Sequence, residues 1–551
     1  MNYLIIGGVA GGATAAARIR RNDEQASIVL VERGPYISFA NCGLPYHLSG
    51  TIAKREQLLV TSEEAFSRRY AVQVKSLTEA IAIDRAHKVV RLRNLASAEE
   101  FDAPYDKLLL SPGAEPIKPA LPGLNGSRVF SLRNLPDLER IMAFMTEHQP
   151  RRAVVVGAGF IGIEVAENLH QRGLQTTLVE GADQILAPLD PEMAAMVQAQ
   201  LREQQLELCL SDRIERVEER HGGCVVFLHS GKQLEADLVI LAIGVRPETT
   251  LARAAGLELG STGGIRVNAY MQTSDSDIYA VGDAVEVQQT VSRQPALIPL
   301  AGPANRQGRM AADNMVFGQR TPYRGTQGTA IIKAFDYAAA ATGLNGKQLK
   351  ALGIEHLATI THSYAHASYY PGAQPLSIKL LYTPDGQLLG AQAVGRDGAD
   401  KRIDVIATAM YAGLHVDDLA ELELAYAPPF GAAKDPVNVA AHVAQNVLDG
   451  HQQIIDWATL RDLPADSLQL VDVRTAAEFA LGSIPGARHI ELDTLRVQLA
   501  SLDTEKPVVV FCQVGLRGYL AARILLQHGF CQVKNLSGGY QTWSVAIGQQ
   551  A

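Results

Sequence analysis

The chain has 551 residues, 47% hydrophobic and 20% charged, with a formal net charge of −8. That length exceeds the ~250–300 residues at which a single core stops growing, so several domains are expected, and the acidic balance speaks against a nucleic-acid partner. No apolar run of about 18 residues suggests a membrane span, and five cysteines without a CxxC pair or metal spacing suggest neither metal site nor disulfide scaffold but a reducing cytoplasm.

The N-terminus is apolar but lacks the basic flank of a signal peptide, and its glycines fall where a nucleotide fold needs them. YLIIG (3–7) reads as a strand, followed by a turn with Gly7, Gly8 and Gly12, an alanine-rich helix, and the strand ASIVLVE (26–32). Val9 stands where the middle glycine of a GxGxxG turn would be, and Glu32 is placed to bind a ribose diol. Arg18, Arg20 and Arg21 lie on that helix; Arg18 and Arg21, three apart, share a face that could grip a phosphate. Next comes SFANCGLPYH (38–47), with Cys42 and, five positions on, His47 rather than a second thiol. A solitary cysteine must work through a mixed disulfide, a persulfide or a sulfenic acid; the bland reading is a buried, inert thiol.

The strand–turn–helix–strand plan repeats at RAVVVG (152–157), AGFIGIEVAENLHQRG and LQTTLVE. Gly157, Gly159 and Gly162 complete GxGxxG directly after a strand, so the backbone can approach a pyrophosphate at a helix N-terminus. Glu180 would hold a ribose diol and repel a 2′-phosphate, which favours NADH over NADPH. The apolar runs of 222–247 read as sheet returning the chain to its first domain, and TSDSDIYAVGDAVE (273–286) as a strand ending at Gly282 and Asp283 beside a ribityl or phosphate group. From about 320 to 445 the pattern is α+β, with a strand at LSIKLLY and a helix at DKRIDVIATAMYAG. The stretch 446–456 reads as a linker. A small α/β unit closes the chain, with strands LQLVDV and PVVVFC and the helix GYLAARILLQHG; Cys531 after it reads as structural.

Residues 1 to about 445 resemble the flavoprotein reductases that bind two dinucleotides, through the first glycine turn, Thr273, Gly282 and Asp283, and the connecting segments LLLSPGAEP (108–116) and LAIGVRPET (241–249). The resemblance implies an α/β protein with two Rossmann-like domains: a discontinuous FAD domain (1–113 and 240–320) and an NAD(P)H domain (114–239). An α+β dimerisation domain (321–445) would follow. It adds Arg33, Ser111, Gly113 and Gly244 to the implied cofactor contacts and makes a homodimer the expected assembly. The SFxxCGLPY context is similar to coenzyme A–disulfide reductases and to their oxidase and peroxidase relatives, which use a cysteine sulfenic acid. The peroxidase type keeps a histidine in its first glycine turn, where this chain has Ala10; the reductase reading gains. That family implies coenzyme A contacts at Thr14, Arg18, Arg21, Ser38, Asn41, Asn305 and Lys434. It also implies two tyrosines, Tyr369 (or the adjacent Tyr370) and Tyr426, reaching the cysteine from the partner subunit as general acids; packing is the bland alternative.

LVDVRTAAEFALGSIPGARHI (470–490) and LSGGYQTW (536–543) resemble the rhodanese framework, over 455–551. Cys512 ends a strand, and the six-residue loop CQVGLR enters a helix, so backbone N–H groups and Arg517 would stabilise a thiolate or persulfide. The implied whole is an NAD(P)H- and FAD-dependent reductase of small thiol, disulfide or persulfide substrates.

Overall fold

The first apolar run forms the strand Asn2–Ile6, and the fold grows around it. The computed structural model describes residues 1–548; the last three residues of the expected 455–551 range lie outside the described residues. The chain folds into two units, one of residues 1–183 and 206–328, the other of residues 184–205 and Thr329 onward.

In the first unit, Asn2–Ile6 lies at the centre of a five-stranded sheet ordered 278–280, 107–110, 2–6, 27–31, 73–75, every pairing parallel. A second sheet repeats the plan in the order 129–130, 238–241, 152–156, 175–179, 207–209, again parallel throughout. Such strands are buried on both faces and read as near-continuous apolar runs, as Leu108–Leu110 and Val154–Val156 do. Two separate three-stranded antiparallel meanders, 78–84/89–94/100–104 and 214–220/223–228/233–236, accompany these sheets.

The run ADLVILAIG does not return the chain to the first sheet, as its sequence suggested. Leu238–Leu241 pairs with Arg152–Val156 in the second sheet, and the return comes at Val245–Pro247, antiparallel to Ala114–Pro116.

In the second unit, an antiparallel sheet ordered 330–334, 337–343, 388–395, 375–382, 357–364 is covered by the helices Ala399–Ala412 and Pro436–Leu448. A parallel sheet ordered 454–455, 533–536, 508–511, 469–472, 488–489 builds the C-terminal α/β layer. The expected linker 446–456 is shorter than its polar composition implied: one helix runs to Leu448, and Ile454–Ile455 is already a strand.

The helix Pro191–Glu203, which follows the second nucleotide fold in sequence, packs in this second unit. Lys379 is buried between Asp190, at 2.8 Å, and Glu192, and Trp457 Nε1 donates to the other oxygen of Glu192 at 3.1 Å. Burying a charge is costly unless it is paired, and here each partner is held by a further donor. The C-terminal helix Gly539–Gly548 is pinned to the antiparallel sheet by His362, whose ring nitrogens meet Ser377 Oγ at 2.7 Å and Thr542 Oγ1 at 2.8 Å.

Candidate active site

Two glycine turns have the same internal geometry. Gly7 and Gly157 adopt φ of 98° and 104°, which favours glycine, and a Cβ on Gly12 or Gly162 would lie 1.8 Å from the carbonyl oxygen of Gly7 or Gly157. Nothing lies within 4 Å of a Cβ built on Gly159. The acids are matched too. Glu32 accepts from Gly8 N at 2.8 Å and Gly34 N at 2.7 Å, and Glu180 from Ala158 N at 2.7 Å and Ala182 N at 2.9 Å. Burial raises the Glu32 carboxyl, and those backbone N–H groups work against it. Each turn opens onto the first turn of a helix, Ala10–Asn22 or Phe160–Gln171, so backbone N–H groups and a carboxylate converge as a dinucleotide's pyrophosphate and ribose require. The residues present fit two such cofactors. Val9 does not disturb the first turn; it occupies the N-cap position of the helix without a side-chain cap.

Around the first turn, Ser111 N donates to Ile6 O at 2.8 Å, Gly282 N donates to Gln307 Oε1 at 2.7 Å, and Arg133 lies 3.4 Å from Asp283. Burial raises the Asp283 carboxyl, with Arg133 opposing. Gly113 and Gly244 directly precede the paired strands Ala114–Pro116 and Val245–Pro247, with φ of 76° and 112°. Arg33 is more remote, 3.8 Å from both Glu79 and Glu115.

Cys42 sits in the turn Asn41–Gly43 that opens the helix Leu44–Ser49. That helix packs against Phe160–Gln171, which brings Glu164 beside it; Tyr46 Oη donates to Glu164 Oε1 at 3.2 Å. Although Cys42 reaches the surface, burial pushes its thiol up, Glu164 and Asp283 add to the rise, and Arg133 opposes them. Glu164 is itself pushed up to about 7, chiefly by burial. In the amide orientation that satisfies both groups, Asn41 donates to Phe39 O at 3.1 Å and accepts from Arg133 at 3.3 Å. His47 is turned away, its Nδ1 2.7 Å from Ile52 O. Ser38 holds φ of 47°, a costly conformation for serine, with its N–H on Gly8 O. All five cysteines are free.

The helix surface read as a phosphate grip is only partly available. Arg18 is held by Asp313, Nε to Oδ1 at 2.6 Å and Nη2 to Oδ2 at 3.2 Å, and Asn22 donates to the same carboxylate. Arg20 is buried on backbone carbonyls and is structural. Arg21 remains exposed, and Thr14 Oγ1 donates to Asn305 Oδ1 at 2.7 Å. In the second unit, Tyr369 and Tyr426 are exposed with their hydroxyls 2.9 Å apart; Tyr370 and Lys434 are exposed too.

Cys512 is fully buried at the end of the strand Val508–Phe511, and Gly515 N donates to its sulfur at 3.2 Å. Arg517 lies against that sulfur but is also in a two-pronged pair with Glu478 at 2.6 and 2.7 Å. Cys531 is exposed, its sulfur 3.7 Å from Gly529 O. Sequence reasoning missed Tyr46, Arg133, Glu164, Asp313 and Glu478. Of these, Tyr46 and Glu164 had local signals, Tyr46 within the SFANCGLPYH motif and Glu164 two residues past the second glycine turn.

Among the described residues no group of three or more His, Cys, Asp or Glu could hold a metal ion, and no helix is long and apolar enough to cross a membrane.

Comparison with known proteins agrees with this layout. Family models match residues 1–308 as pyridine nucleotide-disulphide oxidoreductase, 329–436 as the dimerisation domain of that family, and 456–546 as a rhodanese-like domain. The coenzyme A disulfide reductase of Staphylococcus aureus (strain JH9) is 36% identical over 443 residues, 80% of this chain and 99% of that protein. The reduced CoADR-RHD of Bacillus anthracis superposes with a TM-score of 0.97 at 46% identity, covering 100% of this chain and 98% of that one. An NAD-dependent persulfide reductase from A. fulgidus gives 0.92 at 39% identity, covering 98% of this chain and all of the other.

Proposed function

Since the chain belongs to the pyridine nucleotide-disulphide oxidoreductase family and is a flavoprotein oxidoreductase with a dimerisation domain and a rhodanese-like domain, we propose that it reduces coenzyme A persulfide or coenzyme A disulfide at Cys42. Cys512 would supply sulfane sulfur to the coenzyme. The observation that carries this reading is a single free thiol at a helix start, amid Glu164, Arg133 and Asp283, with no second cysteine in its loop.

The turn of Gly7, Gly8 and Gly12 with Glu32, Ser111, Gly282 and Asp283 would hold FAD, within residues 1–113 and 240–320. The turn of Gly157, Gly159 and Gly162 with Glu180 would hold NADH, within 114–239. Cys42 thiolate attacks a coenzyme A disulfide, forming Cys42–S–S–CoA and expelling one coenzyme A thiolate. On a persulfide, attack at the inner sulfur gives the same mixed disulfide and expels hydrosulfide. FAD, when bound, would supply the electron pair for reducing this disulfide, which leaves Cys42 and the coenzyme A sulfur each as a thiolate. Tyr369 and Tyr426, already hydrogen-bonded to each other, would protonate the departing thiolate at the other protomer's Cys42 in a homodimer. Arg21, Thr14, Ser38, Asn41, Asn305 and Lys434 would contact the coenzyme. The free thiols suit a reducing cytoplasm.

Cys42→Ser and Cys512→Ser separate the two chemistries. NADH consumption with coenzyme A disulfide should vanish in the first and persist in the second. Full activity of Cys42→Ser on disulfide and persulfide would refute the assignment.

A further inference from the structure

The Cys512 loop carries a charge balance that the sulfur-transfer reading alone does not require. Among the groups in ion-pair or hydrogen-bond contact with residues 512–517, the cations are Arg517 and Arg474. Each is matched by its own carboxylate. Arg517 is clamped by Glu478, and Arg474, which reaches Gln513 at 3.2 Å, is paired with buried Asp472 at 2.8 Å. Arg517 holds the Glu478 carboxyl down to about 2, so it stays ionised at working pH. With Cys512 as thiolate the cluster therefore sums to one negative charge. The remaining loop side chains are uncharged: Gln513, Val514 and Leu516. Leu516, within the loop, is 67% exposed.

We infer that Glu478 sets a donor preference at this site, making it discriminate against dianionic sulfane-sulfur donors such as thiosulfate relative to persulfides whose reacting end is uncharged. The inference rests on Cys512 being the sulfur acceptor. In either transfer the Cys512 thiolate attacks the terminal sulfur, one S–S bond forms as another breaks, and no net oxidation occurs. From R–S–SH the products are Cys512–S–SH and the thiolate RS⁻. From thiosulfate they are Cys512–S–S⁻ and sulfite, so two negative charges enter and two leave a cluster already one negative. Like charges brought together at a partly desolvated site are strongly disfavoured, and the Arg517 charge beside the sulfur is already balanced by Glu478. Glu478 also accepts from Thr475 N and Oγ1 at 2.9 Å in a capping box, a role glutamine can keep. Glu478→Gln therefore removes the charge with little change of shape.

The test uses the full chain, thiosulfate and pantetheine persulfide as donors, and mass analysis of the Cys512 peptide for one added sulfur. Wild type should load from pantetheine persulfide much faster than from thiosulfate. Glu478→Gln should raise the thiosulfate-to-persulfide ratio of kcat/KM by about tenfold, and Glu478→Asp, which keeps the charge, should leave it near wild type. Equal loading of wild type by the two donors overturns the inference without any variant, as does an unchanged ratio in a folded Glu478→Gln. If Cys512 gains sulfur from neither donor, the acceptor reading itself fails and takes this inference with it.

Discussion

Acidification from about pH 7 to about pH 5 should loosen the second unit through one imidazole. His362 is enclosed between Ser377 and Thr542, and burial lowers its pKa from 6.5 to about 4, with only the backbone at Gly538 pulling it back. Between those values the unfolded chain binds a proton that the folded chain does not. Stability therefore rises with pH across that window, is fully present above the unfolded pKa, and is gone below the folded one. Each pH unit inside the window is worth about 1.4 kcal/mol, so the fall from 6.5 to pH 5 costs about 2 kcal/mol. Both tryptophans of the chain, Trp457 and Trp543, lie in this unit, so their fluorescence follows its unfolding in urea. His362→Gln, neutral at either pH, should lose less stability on acidification by about that amount. Equal losses in wild type and variant would refute the reasoning.

Three further outcomes follow from the first unit. Gly12→Ala, whose Cβ would press on Gly7 O, should yield protein depleted in flavin absorbance, whereas Gly162→Ala should keep flavin and raise the KM for NADH. Glu180→Gln should narrow the preference for NADH over NADPH by about tenfold in kcat/KM, because the charge facing a 2′-phosphate is gone; an unchanged ratio would count against Glu180 as the ribose acid. Alkylation of Cys42 by iodoacetamide should rise with pH only above the usual cysteine range, and Glu164→Gln should shift that profile downward. Since Glu164 ionises near 7, the two proteins should react alike at lower pH.

The features legible in the sequence are those written locally. A strand, a glycine turn and an acid some twenty residues on lie in one stretch, and the structure shows both copies with matching hydrogen bonds to Glu32 and Glu180. The solitary thiol was equally plain. What escaped reading depends on residues far apart in the chain. Asp313 lies 295 positions from the Arg18 it engages, Glu164 is 118 from Tyr46, and Arg517 is 39 from Glu478. Arg18 looked free on its helix because no acid stands three or four residues from it on the same face. The strand Leu238–Leu241 was misplaced because an apolar run declares that it is buried but not which sheet buries it.

The helix Pro191–Glu203 makes neither unit a continuous piece of polypeptide. Anyone shortening the gene at Gly328 to obtain the nucleotide folds alone would leave Met193, Val197 and Leu201 without the surface that covers them. Each such side chain forfeits roughly 1.5–3 kcal/mol on re-exposure. A fragment begun at Thr329 would instead strand the Lys379 ammonium in its apolar setting with both counter-charges missing. Dissecting this protein calls for excising or grafting that helix, not for a single scissor cut.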